Sequence, residues 1–137
     1  MSREVFDSFA RFDDFLVYLA LALVLLAFFI AVYVRVTPYR EIALLREGNM
    51  AAAFSLSGSL LGFVIPLAAA VEHSVNLVDM TIWGLVAMFI QLLAFVAVKL
   101  MIPSIVRDIP EGKQAQGLFL GAISLAVGLL NAACMSY

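Results

Sequence analysis

The chain has 137 residues, 65% of them hydrophobic and 13% charged, with a net charge of −2. A soluble domain carries about 25% charged residues, and too few are present here to cover a water-facing surface, so the solvent is lipid. The small, mixed net charge excludes nucleic acid as a partner, and a single cysteine, Cys134, excludes an internal disulfide.

In chain order, the first 14 residues form an acidic leader, MSREVFDSFARFDD. It lacks the basic start of a signal peptide. Val5, Phe9, Phe12 and Leu16 recur at helical spacing, which predicts an amphipathic segment running into the first span. A frayed end with its phenylalanines in the headgroups is the alternative. Four runs without a charged residue follow: Phe15 to Val34, Ala51 to Val71, Met80 to Val98 and Gln114 to Tyr137. About 20 helical residues cross a hydrocarbon core of about 30 Å. In lipid the backbone must satisfy its own hydrogen bonds, and unbroken apolar runs do so as helices. Spans are therefore expected at about 15–35, 51–71, 80–101 and 115–136.

The connection after the first span carries Arg35, Arg40 and Arg46, and that after the third carries Lys99, Arg107 and Lys113. The leader has only Arg3 and Arg11, and the short connection from Glu72 to Asp79 has no Lys or Arg. The positive-inside rule places the two basic connections in the cytoplasm and both termini outside. Trp83, Tyr39 and Tyr137 fall near the interfaces, where aromatic anchors belong. In the first basic connection Thr37 can cap a short helix, Pro38 suits its first position and Gly48 its end. Pro103 and Pro110 should leave the second connection more broken.

Shifting the chain by 64 residues lays one half on the other, with identities that include Glu47/Glu111, Gly48/Gly112, Ala51/Ala115 and Leu56/Leu120. The expected fold is an all-α membrane protein of four transmembrane helices. They form a tandem repeat of two helix pairs (15–73 and 80–137) after the amphipathic segment 1–14, both termini being periplasmic.

Small residues line one face of span 2, at Ser55, Gly58 and Gly62, and of span 4, at Gly117, Gly121 and Gly128. Helices in lipid associate where small side chains let backbones approach, so these are expected packing faces, with a narrow polar lining as the alternative. Gln91 is a mid-span amide that needs a partner. Helical rise puts it about 13 Å from the outer end of its span, with Ser124 at about 16 Å and Asn131 at about 6 Å. Ser124 is the nearly level partner; Asn131 must find another nearer the outside. All three are candidates for interhelical bonds or for a polar lining. Pro66 is an expected kink in span 2. Glu72, His73 and Asp79 match no zinc spacing, and no metal or cofactor is expected. With one histidine, one cysteine and no carboxylate inside a span, no enzyme signature is present.

The stretches TPYREIALLREGNMAAAFSLSGSLLGFVIPLAAAV (37–71), WGLVAMFIQLLAFVAVKL (83–100) and GLLNAACMSY (128–137) resemble the YjfL-type bacterial inner-membrane proteins. That family is built from a duplicated two-helix domain of unknown function, and the resemblance runs from about residue 15 onward. It implies a multi-pass inner-membrane location. Members encoded near membrane-stress proteins and ATP-grasp ligases also imply a link to envelope stress. It brings no catalytic residue.

From residues and resemblance together, the expectation is a small homo-oligomeric membrane protein of structural or signalling type without catalytic activity. Its basic connections are expected to meet a cytoplasmic protein or anionic lipid. The alternative is a passive ion or small-solute channel formed by an oligomer.

Overall fold

The structure, a computed structural model, describes residues 2–135. These residues form six helices: α1 (Ser2–Val36), α2 (Glu41–Arg46), α3 (Met50–His73), α4 (Leu77–Met101), α5 (Ile105–Asp108) and α6 (Gln114–Cys134). Four of them, α1, α3, α4 and α6, are long and apolar enough to cross a membrane; the first three cover the first three charge-free runs, and α6 follows the fourth as far as Cys134. Tyr137, one of the expected interfacial aromatics, lies outside the described residues.

No proline or glycine interrupts residues 2–36, so the leader and the first span are one continuous 35-residue helix. Glu4 in its first turn and Arg35 in its last complement the helix dipole. Only Leu25, Phe29 and Tyr33 are buried, at steps of four, which makes a single narrow seam. Along it Phe29 stacks on Phe63 of α3, ring centroids 4.4 Å apart and planes within 5°, and Tyr33 meets Phe95 of α4 edge-on at 6.0 Å. Tyr18, Leu21, Ala22, Leu26 and Ile30 flank this seam half-buried, and residues 2–17 are exposed.

Pro38 stops α1, because the residue before a proline is pushed out of helical conformation. The next helix begins three residues later than Thr37 and Pro38 suggest. Thr37 gives its hydroxyl back to the Val34 carbonyl at 3.4 Å, and Arg40 stands at the N-cap of α2 without a side-chain cap bond. Residues 37–41 instead alternate, with Thr37, Tyr39 and Glu41 buried and Pro38 and Arg40 exposed. Tyr39 thus turns into the bundle rather than anchoring at the membrane surface.

Both short helices end alike. After α2 the Gly48 and Asn49 amides donate to the Leu45 and Leu44 carbonyls; after α5 the Gly112 and Lys113 amides donate to Ile109 and Asp108. Each ending needs a residue at positive φ, and Gly48 (81°) and Gly112 (78°) supply it without a Cβ penalty. The α5 segment, between Pro103 and Pro110, is reduced to four residues.

Asn49 then caps α3. Its Oδ1 accepts the Ala52 amide at 3.0 Å, and its Nδ2 donates to the carbonyls of Ile109 (2.9 Å) and Pro110 (3.3 Å). One side chain therefore starts a spanning helix and ties the two basic connections together. Asn49→Ala is expected to lower stability by about 1–2 kcal/mol, read as a fall in the thermal midpoint of the detergent-solubilised protein.

The centre of the bundle is the pair α3 and α6. Ala51 lies against Gly117, Gly58 against Gly121, and Gly62 against Ser124 and Gly128. Residue numbers rise together along both helices, so they run parallel. A Cβ added at Gly58, Gly117, Gly121 or Gly128 would run into the facing backbone. Ser55, Gly58, Gly62, Gly117, Gly121 and Gly128 are all buried in this contact layer. The absence of side chains lets the main chains meet and dispersion act over their length.

Candidate functional site

Polar side chains gather in two linked layers inside the bundle. In the deeper layer every spanning helix contributes. Gln91 of α4 is 1% exposed, and its Nε2 donates to the Gly62 carbonyl of α3 at 3.0 Å and the Ser124 carbonyl of α6 at 2.9 Å. The Gly62 carbonyl is the one that residue 66 would engage in an unbroken helix, and residue 66 is Pro66, which has no N–H. Gln91 therefore replaces, from a neighbouring helix, the donor that proline removed. The helix continues through Pro66, which is itself buried. Two facing carbonyls also fix the amide orientation, since the flipped amide would set oxygen against oxygen.

Next to this tie stand three hydroxyls. Ser59 of α3 donates to Tyr33 Oη at 2.8 Å and lies 3.3 Å from Ser124 Oγ. Tyr33, Ser59 and Ser124 are each 1% exposed or less. Of the three candidate polar residues, Gln91 and Ser124 are thus brought together through a backbone carbonyl. Asn131 is not; its Nδ2 is buried with no hydrogen-bond partner.

The second layer lies at the basic end, where the alternating segment 37–41 plugs the bundle. Glu41 is 1% exposed, and no protein group donates to either of its carboxylate oxygens. Tyr39 Oη beside it is likewise buried without a partner. The hydroxyls of Thr37 and Ser55 are its polar neighbours and favour the charged form, yet each hands its own proton to a backbone carbonyl, Val34 and Ala52 respectively. Burial outweighs them and pushes the Glu41 carboxyl up from 4.5 to about 8. Burial, and then the charge of Glu41, raise the Tyr39 phenol as well. Glu41 was invisible as a site in the sequence, where it reads as one more charge in a wet connection.

An acid whose folded-state value is raised holds its proton more tightly folded than unfolded. Its contribution is complete below about pH 4.5 and is lost as pH rises toward about 8. In buffers free of alkali cations the thermal midpoint is expected to decline across that window, and Glu41→Gln to remove the slope.

The remaining candidates lie outside this track. Asp108, buried at the end of α5, accepts from Ser104 Oγ at 2.9 Å and pairs with Lys113 at 3.2 Å. The Ser104 hydroxyl first, then Lys113, hold its carboxyl below the usual range. Of the six basic residues in these connections, Lys113 is so engaged, while Arg35, Arg40, Arg46, Lys99 and Arg107 point outward. At the other end Glu72 and His73 approach to 4.0 Å, while Asp79 turns away to accept the Val75 amide at 3.2 Å. Among the described residues no three His, Cys, Asp or Glu side chains come together as a metal set. Cys134 is exposed on α6.

Comparison with known proteins agrees with this architecture. The chain is 38% identical over 134 residues to the UPF0719 inner membrane protein YjfL of Escherichia coli K12, covering 98% of this chain and 99% of the relative. It is 25% identical over 118 residues to the UPF0719 transmembrane protein YshE of Bacillus subtilis, covering 85% and 88%. No solved structure matches it. These relatives and the four apolar helices make it a multi-pass inner-membrane protein. The model of the family described as Domain of Unknown Function (DUF350) matches residues 6–135, the whole of both polar layers included, and the chain belongs to that family.

Proposed function

We infer that the chain is a non-catalytic, homo-oligomeric membrane protein of structural or signalling type, linked to envelope stress. Assembly runs through α1. The observation that carries this is the face α1 leaves uncovered: Val5, Phe9, Phe12 and Leu16, one stripe at helical spacing, are 49%, 64%, 55% and 45% exposed. Val5, Phe9 and Phe12 stand about 5–15 Å beyond the start of the charge-free run. So much apolar surface at and beyond the edge of the hydrocarbon core needs cover, and the same face on a second copy supplies it.

The repeat and the orientation belong to the same reading. Contacts between α3 and α6 join residues 62 to 67 apart, on either side of the 64-residue shift, in keeping with a pseudo-two-fold axis along the membrane normal. With the basic connections in the cytoplasm and both termini periplasmic, the five outward basic residues face anionic headgroups or an acidic cytoplasmic partner.

The decisive test is crosslinking of a single-cysteine variant (Phe9→Cys with Cys134→Ala) in native-like membranes, with mass measured in nanodiscs. Crosslinked dimers or larger species are expected. A strictly monomeric mass together with no crosslink would sink the reading. The channel alternative calls for flux through liposomes that changes with Gln91→Leu. Gln91 and Ser124 are occupied with each other's helices inside one chain, which favours no flux.

A further inference from the structure

The Glu41 cluster has a composition that neither packing nor assembly calls for. It holds two carboxylate oxygens and a phenol oxygen without protein partners. It also holds the Thr37 and Ser55 hydroxyls, whose protons are spent on their own backbone carbonyls. Their lone pairs remain, so every oxygen in the cluster can accept and only the Tyr39 phenol has a proton to offer. Acceptor oxygens set around a buried carboxylate are what a hard cation coordinates.

The charges around it define which cation. The ionisable groups facing Glu41 are the phenols Tyr39, from its own connection, and Tyr33, from α1; α3 contributes Ser55, which is not ionisable. Arg35, Arg40 and Arg46 are exposed, and Glu41 forms no salt bridge among the described residues. One buried carboxylate balances one positive charge, whereas a divalent ion would leave a net charge in the interior. A partner's lysine or arginine is kept out by the burial itself. Nor does the fold demand an acid here. Each short helix opens with a buried residue, Glu41 in α2 and Ile105 in α5, and in α5 that opening position is filled by a hydrocarbon.

We propose that Glu41, with Tyr39, Thr37 and Ser55, forms a binding site for one monovalent alkali cation at the basic end of the bundle, in competition with a proton. The carboxylate supplies the charge and the hydroxyl oxygens complete the shell. When protonated, Glu41 is neutral and needs no cation; once ionised, it takes one. The site is complete within one chain, so it stands whether or not the protein forms oligomers.

The test uses the purified full chain in nanodiscs, exchanged into choline chloride at constant ionic strength. LiCl, NaCl or KCl replaces choline while the thermal midpoint is followed at pH 6 to 9. At least one alkali ion is expected to raise the midpoint saturably at pH 9. Its half-saturating concentration should rise about tenfold for each pH unit well below the carboxyl value, as competition with a proton demands. Glu41→Gln, which imitates the neutral acid, should fold and show no cation response, and Tyr39→Phe should weaken binding several-fold. No saturable response to any of the three ions at pH 9 overturns the proposal. An identical response in Glu41→Gln overturns it too, and so does a response independent of pH.

Discussion

Replacing Gly121 by valine will cost the protein about 3 kcal/mol or more, enough to leave much of it unfolded or degraded in the membrane. The reason is that Gly121 has no room for any side chain. A Cβ there meets the Phe54 carbonyl, and one turn further along the same facing helix Gly58 packs against Gly121. The obstacle is helix backbone, which cannot rotate aside as a flexible side chain can, so relief requires the two central helices to part along their length. That separation would also draw Ser59 from Ser124 and Gln91 from one of its two carbonyls. The measurement is the folded fraction after extraction in mild detergent, beside Leu130→Val. Leu130 sits on the same helix but is 68% exposed, and its substitution should change little.

A second large effect is expected at Gln91, and its size should depend on a residue 25 positions away in the sequence. Gln91→Leu leaves the Gly62 carbonyl buried without a donor and should cost about 2 kcal/mol. Hydrogen bonds between membrane helices are often worth less than 1 kcal/mol because the separated groups find other partners. Here the natural substitute, the amide of residue 66, does not exist. In a Pro66→Ala background that amide returns, α3 can close its own bond to Gly62, and Gln91→Leu should cost about 1 kcal/mol less. A double-mutant cycle on reversible unfolding in detergent reads this directly. Equal costs in both backgrounds would mean that Gln91 is held by Ser124 alone.

The spans were legible because lipid imposes one strong requirement on every residue of a crossing helix, and the charge-free runs meet it without ambiguity. Depth along a helix is equally regular, which is why Gln91 and Ser124 could be matched by arithmetic on helical rise. What could not be read was anything that depends on two helices at once. That Pro66 frees a carbonyl is plain from the sequence; that Gln91 reaches it is a property of how α4 leans on α3. Glu41 was hidden for a different reason. A six-residue helix offers less than two turns of periodicity, and the neighbouring Arg40 and Arg46 make the connection look solvated. The available signal was the alternation of Thr37, Tyr39 and Glu41 with Pro38 and Arg40, which marks a segment with one side turned inward. Thr37 and Pro38 fit a helix start equally well, and a helix start there hides the alternation.

The pairing of α3 with α6 also bears on how the chain is made. During synthesis α3 enters the bilayer when α6, some 40 residues further along, has not yet left the ribosome. For that interval its glycine face lies against translocon or lipid, and the Gly62 carbonyl waits for a glutamine in a helix still being delivered. The nascent first half is therefore a holding state that the membrane-insertion machinery must shelter, and the second half is its release. A chain stopped after His73 should be a substrate for membrane quality control, and adding back residues 77–137 as a separate polypeptide should rescue it.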